Sequence, residues 1–460
     1  MSMPRGLRDV VDAVLHSKTG VVGLSILIAI IVLSILAIIY VPFDIAREWN
    51  NPSFWQRNPR LASPSWTNIF VGGKLPETMI LSNDSFRKYS YYLETIGLKY
   101  CILETEFQYL YEDFPSELRL SLYVDTDGAF ITVRWIQPNG IDITIWRGLF
   151  KRGLNTIYIS RQLDVREYIR DSLKRLNLTA PSVVNPEVIL FTDNSVTHSE
   201  LTPVNGGYRV RVEAVSSDLY ADIEAELIVY GKVYGLVGTD NNRRDLFVGL
   251  VWGAPIALAF GLIAAIATSF IQTLIGSLSA WYGRLVDEVI QRITDIYMII
   301  PFLPILITIS VIYRIDIWTL LIVVVGLSLF GGATKTARSM TFQIMTEQYI
   351  EAAASYGASR KRILFLYILP RLMPYTMANI VLSVPGYVFL EAALSVLGLG
   401  DPMMPTWGKI ISDAYSGGAV VHGLWWWILL PSALIILTAI SFAFIGLALD
   451  KVVNPRLRER

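Results

Sequence analysis

Long apolar runs open the chain, give way to an alternating polar pattern for about two hundred residues, and then return to the C-terminal end. Residues 21–41 carry no charge, and at 1.5 Å per residue they are long enough to cross about 30 Å of hydrocarbon. A cleavable leader would have a shorter core and a small-residue cleavage site, so this run reads as a retained span. Before it, Leu7, Val10, Val11, Val14 and Leu15 share one helical face, the pattern of a helix lying in the interface. Five further runs, 247–280, 296–313, 317–332, 375–397 and 425–449, bring the predicted spans to six. Pro301 and Pro304 should kink the third and Pro385 the fifth.

Between the first two spans the pattern changes period. Residues 118–124, 129–136, 141–146, 208–215 and 223–234 read as strands, separated by turns at Gly128, Asn139-Gly140 and Asn205-Gly206-Gly207. Residues 164–176 read as a helix whose buried stripe is Val165, Tyr168, Ile169, Leu173 and Leu176. The expectation is a β-rich sandwich carrying one helix. Asn83-Asp84-Ser85 and Asn177-Leu178-Thr179 have the glycosylation-acceptor pattern. The domains predicted are therefore an interfacial helix and first span (1–42), an inserted β-rich domain (43–246), and a five-helix membrane core (247–460) containing a polar loop at 334–374.

Composition agrees with that division. Hydrophobic residues make up 53% of the 460, mean hydropathy is +0.47 and formal net charge is zero, so no global attraction to nucleic acid follows. Cys101 is the single cysteine, which excludes an intrachain disulfide and a thiolate metal cluster. His16, His198 and His422 lack metal-ligand spacing. Orientation follows from the cations outside the insert, since a large domain translocates regardless of its charge. Fifteen of those lysines and arginines fall on one side of a six-span chain, and only Arg314 and Lys409 on the other. Both termini and the 334–374 loop are thus predicted in the cytosol and the insert outside the cell. Trp407 and the Trp425-Trp426-Trp427 run are placed in an outer aromatic belt.

The most informative stretch is EAAASYGASRKRILFLYILP, from Glu351 to Pro370. Ala352, Ala353 and Ala354 favour helix while presenting little bulk, so another protein can approach the backbone closely. Gly357 permits a sharp reversal. Ile363, Leu364, Tyr367 and Ile368 recur at helical spacing behind Arg360, Lys361 and Arg362, and Pro370 and Pro374 are expected to close the element. A basic cytosolic loop held at the lipid surface by its arginines would have similar spacing. On the fifth span Asn379, Ser383, Tyr387 and Glu391 recur every four residues and lay a polar stripe along an apolar helix. The stripe either borders a solute path or packs against a partner, with Glu391 held by a hydrogen bond near the outer interface.

The Glu351 loop resembles the coupling loop of ATP-binding-cassette importer permeases. Residues 238–460 extend the likeness to the C-type permease subunit of the dipeptide and oligopeptide importer family. It is carried by GTDNNRRDLF before the second span, WYGRLVDEVIQRITDI after it, FLEAALSVLGLG late in the fifth, PTWGKIISDA beyond, and DKVVNPRLRER at the tail. Two departures stand out: the family's usual GTD-x-x-GRD has glycine where this chain has Arg243, and the inserted domain is far larger than the usual external segment.

The fold implied is an α-helical polytopic membrane protein, six transmembrane helices of type I importer kind, with a large inserted β-rich extracellular domain. The resemblance implies a coupling site at Glu351, Ala352, Ala353, Gly357, Ala358, Arg360, Arg362, Leu369 and Pro370. It implies as partners a second permease, two cytosolic ATPase subunits binding ATP and Mg, and an extracellular solute-binding protein. This chain itself carries no GxxxxGK[ST] run and is expected to bind no cofactor. Peptides are the family's default solute and oligosaccharides the alternative. A membrane receptor with an external sensing domain is the lesser reading, since only about ten residues follow the last span and they hold no transmitter region. A secondary transporter would show internal repeats, which are not found.

Overall fold

The computed structural model describes residues 12, 14–72, 74–178, 184–193, 201–313, 315–401 and 403–453. Leu7, Val10 and Val11 of the expected interfacial face lie outside them, as do Arg5, Arg8, Arg314, Thr179 of the second sequon, His198, and the tail arginines Arg456, Arg458 and Arg460. The chain divides into two compact units, one formed by Asn51–Phe247 and the other by Met1–Asn50 with Val248–Arg460.

Among the described residues the Asn51–Phe247 unit contains nine strands: β1 (Met79–Leu81), β2 (Arg87–Leu93), β3 (Leu98–Tyr109), β4 (Glu117–Val124), β5 (Ala129–Ile136), β6 (Asp142–Phe150), β7 (Gly153–Tyr158), β8 (Gly206–Ser216) and β9 (Ile223–Tyr230). They form two antiparallel sheets, ordered β1-β9-β4-β7 and β2-β3-β8-β5-β6. Alternation places Leu118, Leu120, Leu122 and Val124 of β4 in one core with Ile131, Val133 and Trp135 of β5 and Val210 and Val212 of β8. The buried rings keep their polar ends paired: Trp135 Nε1 donates to Leu190 O at 3.0 Å and Tyr208 Oη to Val204 O at 2.6 Å. Helix Leu163–Arg175 buries Val165, Ile169 and Leu173, and its Ser172 hydroxyl bridges the backbone of Thr144 on β6. Strands β1, β2, β3 and β7 are additions to the five expected. Strand β2 is exposed along its whole length, so it lacks the apolar alternation by which a half-buried strand is recognised.

The GTDNNRRD segment forms a closed turn at the end of this unit. The Thr239 hydroxyl donates to Pro59 O at 2.9 Å and accepts from Ala62 N at 3.0 Å. Asp240 is fully buried and accepts from the backbone of Asn242 and Arg244 at 2.8 and 2.9 Å and from Arg244 Nε at 2.5 Å. Arg243 has φ +66°, the left-handed region that glycine enters freely. The turn therefore survives the replacement of glycine, because the arginine's far end is anchored. Its Nη1 donates to Asn58 O at 2.8 Å, Nη2 pairs with Glu117, and the guanidinium lies 4.2 Å from the centre of the Tyr230 ring.

In the membrane unit, four helices among the described residues are long and apolar enough to cross a bilayer: Lys18–Tyr40, Leu246–Tyr282, Arg360–Val396 and Trp425–Leu449. Two helix pairs, Arg284–Ile299 with Phe302–Tyr313 and Ile317–Leu327 with Gly332–Met345, bend by 75° and 46° at short breaks, and counting each as one span raises the number to six. The kink expected at Pro301 is thus a full break. Helices approach closely where side chains are small. Ser441 Oγ donates to Gly23 O at 2.7 Å, and a Cβ on Gly276 would stand 2.3 Å from Thr334 O. Trp407 and Trp427 depart from the expected aromatic belt: both are buried, and Trp407 Nε1 donates to Leu250 O at 2.9 Å inside the bundle.

Candidate coupling hairpin and polar helix face

Helix Gln348–Ser355 ends in a Schellman motif. Gly357 adopts φ +80°, its N–H reaches Ala354 O at 3.0 Å, and the N–H of Ala358 reaches Ala353 O at 3.1 Å. This pairing decides which alanines face which way. Ala353 is buried beside Ile350, Ile363, Leu364, Ile368 and Leu372, and Ala358 packs on the same cluster. Ala353, one of the residues expected at the partner contact, is thus placed at the base of the hairpin. Glu351, Ala352, Ala354, Ser355 and Gly357 form the exposed face, with Tyr356 at its tip 91% exposed.

The return arm begins at Ser359, whose hydroxyl caps the backbone of Arg362 at 3.4 Å. Arg360 and Arg362 are exposed, and Leu369 is half-buried against the hairpin core. Pro370 and Pro374 do not close the element as expected. Residues Leu364–Ile368 form a π-turn in which the N–H of Leu369 reaches back to Leu364 O. That wider turn makes room for the ring of Pro370, which lacks a donor for the preceding turn. Pro374 lies inside helix Leu369–Val396, so backbone runs helically from Arg360 to Val396.

Ion pairs brace the neighbouring helices. Arg338 grips Asp287 with Nε and Nη2, each at 2.5 Å, while Ser279 Oγ donates to the same carboxylate, and Lys335 pairs with Asp295. These acids were not singled out in the sequence, because nothing in their spacing links 287 with 338.

Along Leu369–Val396 the polar stripe divides. Asn379 Nδ2 donates to Ser269 Oγ at 2.8 Å and Tyr387 Oη to Thr268 Oγ1 at 3.0 Å, both on helix Leu246–Tyr282. Glu391 is buried and accepts from Ser395 Oγ at 2.8 Å and from the Thr406 side chain. Thr406 in turn caps helix Trp407–Ser416 through Lys409 N. Ser383 lines an open cavity of about 660 Å³ with Pro301, Phe302, Pro304, Gly386 and Leu390, and Tyr387 borders it as well as bonding to Thr268. Asp401, missed in the sequence, joins the same end of the bundle by accepting from Ile317 N at 3.0 Å and Met403 N at 2.6 Å.

Residues 272–459 match the family described as binding-protein-dependent transport system inner membrane component. The chain is 31% identical over 225 residues to the oligopeptide transport system permease protein OppC of Bacillus subtilis, covering 48% of this chain and 72% of that one. The dipeptide transport system permease protein DppC of the same organism is 30% identical over 224 residues, 48% of this chain and 68% of its own. OppC of Haemophilus influenzae is 30% identical over 226 residues, covering 49% and 71%.

Proposed function

From a chain that belongs to the binding-protein-dependent transport system inner membrane components, as a permease of the dipeptide and oligopeptide type, we propose the permease subunit of an ATP-driven peptide importer. The observation that carries this is the hairpin at Gln348–Ser355, whose apolar base is packed and whose small-residue face and Tyr356 stand free. A groove on a cytosolic ATPase subunit fits such a face, because little side-chain bulk separates the two backbones.

In this reading two ATPase subunits hold ATP and Mg, a second related permease completes the pathway, and an extracellular solute-binding protein delivers the solute. Closure of the ATPases displaces the hairpin, and the helices exchange inward for outward access. Ser383 and Tyr387 border the route, while Asn379 and Glu391 hold helices together beside it. Both termini lie in the cytosol, and the Asn51–Phe247 unit lies outside the cell.

The test is Gly357→Val in the assembled transporter. A branched side chain at φ +80° breaks the Schellman end yet touches no solute. Solute capture by the binding protein should remain, while transport and solute-stimulated ATP hydrolysis fall at least tenfold, as expected when a mechanical contact is lost (on the order of 1.4 kcal/mol or more). Transport at the unaltered rate removes the hairpin from the mechanism.

A further inference from the structure

The Asn51–Phe247 unit carries an apolar corner that its own core does not explain. The 3-10 turn Ser65–Ile69 and the short loop after it expose Trp66, Ile69, Phe70 and Val71, with Ile69 and Phe70 each 79% exposed. Leu236, 65% exposed, joins them from the other end of the unit, since its carbonyl accepts from Trp66 Nε1 at 2.9 Å and Ser65 N bonds to Gly235 O at 2.9 Å. Trp66 and Phe70 meet edge to face at 6.1 Å.

The corner is held in shape from below. Asn68 and Leu75 bond reciprocally, Nδ2 to O at 3.2 Å and N to Oδ1 at 3.1 Å, which closes the loop between them. Thr67 Oγ1 donates to Pro64 O at 2.6 Å. Exposed apolar side chains are thus presented by a braced backbone, so little backbone ordering is left for the moment of contact.

We propose that this corner inserts into the interfacial layer of the bilayer and fixes the Asn51–Phe247 unit to the lipid surface. Three observations select lipid as the occupant. No charged residue occurs from Leu61 to Gly73, the composition of an interfacial anchor. Trp66 and Phe70 supply rings of the kind enriched at that layer. Leu236 lies ten residues before Leu246, where a membrane-crossing helix begins, so at most about 35 Å of extended chain separates them. A lipid surface is therefore tethered to this corner through the chain itself.

The experiment uses the single cysteine to advantage. Cys101 is buried, so a nitroxide reagent reports only on a cysteine introduced by design. Phe70→Cys and Ile69→Cys are labelled in the full chain, assembled in vesicles of mixed zwitterionic and anionic phospholipid. Collision with oxygen is compared with collision with a water-soluble nickel chelate. Tyr220→Cys, at an 83% exposed position of the same unit, is the reference. Lipid insertion gives an oxygen-to-nickel ratio several-fold above the reference at both positions. A ratio equal to the reference means open water, and low collision with both agents means a protein cover; either result overturns the proposal.

Discussion

At the scale of the residue, Arg243 shows how a side chain can replace the conformational freedom that glycine normally supplies. Its φ of +66° costs about 1–2 kcal/mol relative to the right-handed region, and the bonds to Asn58 and Glu117 and the contact with Tyr230 offset that cost. Removing the side chain but not the strain is therefore worse than removing both. Arg243→Ala should destabilise the unit by about 2–3 kcal/mol, as for a lost charge-assisted pair, and Arg243→Gly by about 1 kcal/mol less. Thermal unfolding midpoints of the purified variants should rank wild type, glycine, alanine; glycine ranking at or above wild type would refute the anchoring role, and alanine ranking above glycine would refute the strain. The reversal at Gly357 was legible in the sequence because only a residue without Cβ turns there readily. The inward face of Ala353 was not, since a run of three alanines has no polarity to mark one side.

Among elements, apolar length was read well and continuity poorly. Residues 296–313 satisfy any hydropathy criterion for a span, yet the chain bends by 75° between Arg284–Ile299 and Phe302–Tyr313, a local event at Ile300 and Pro301 that averaged hydropathy cannot register. The error at Pro370 has the opposite sign, because a proline that terminates an α-helix is tolerated where a π-turn precedes it. Strand β2 escaped notice because both its faces are wet. The four-residue repeat from Asn379 to Glu391 correctly marked one side of a helix, but spacing alone could not separate members that bond to a neighbouring helix from those beside a cavity. Cysteine substitution separates them: Ser383→Cys should react with a water-soluble maleimide, whereas Glu391→Cys, buried behind Ser395 and Thr406, should remain unmodified. Equal reactivity at the two would dissolve the distinction.

For the whole molecule, the placement of cations predicts an arrangement that labelling can check directly. In sealed, right-side-out vesicles an impermeant thiol reagent should modify Tyr220→Cys from the outside and Tyr356→Cys only after permeabilisation. The reverse pattern would turn the orientation over. The role of the Asn51–Phe247 unit was the least legible part, because strand patterning reports a core and says nothing about what a finished surface touches. What the helical path from Arg360 to Val396 means for this molecule is mechanical. From Arg360 to Ser383 the path rises about 35 Å over 23 residues, through the π-turn at Leu364–Ile368 and past Pro370 and Pro374. A tilt of about 10° at its cytosolic end would sweep Ser383 through about 6 Å, comparable to one helical pitch. In the proposed mechanism the arm of the hairpin and the wall of the cavity are thus two ends of one helical path, and a push on the first is carried to the second along the backbone alone.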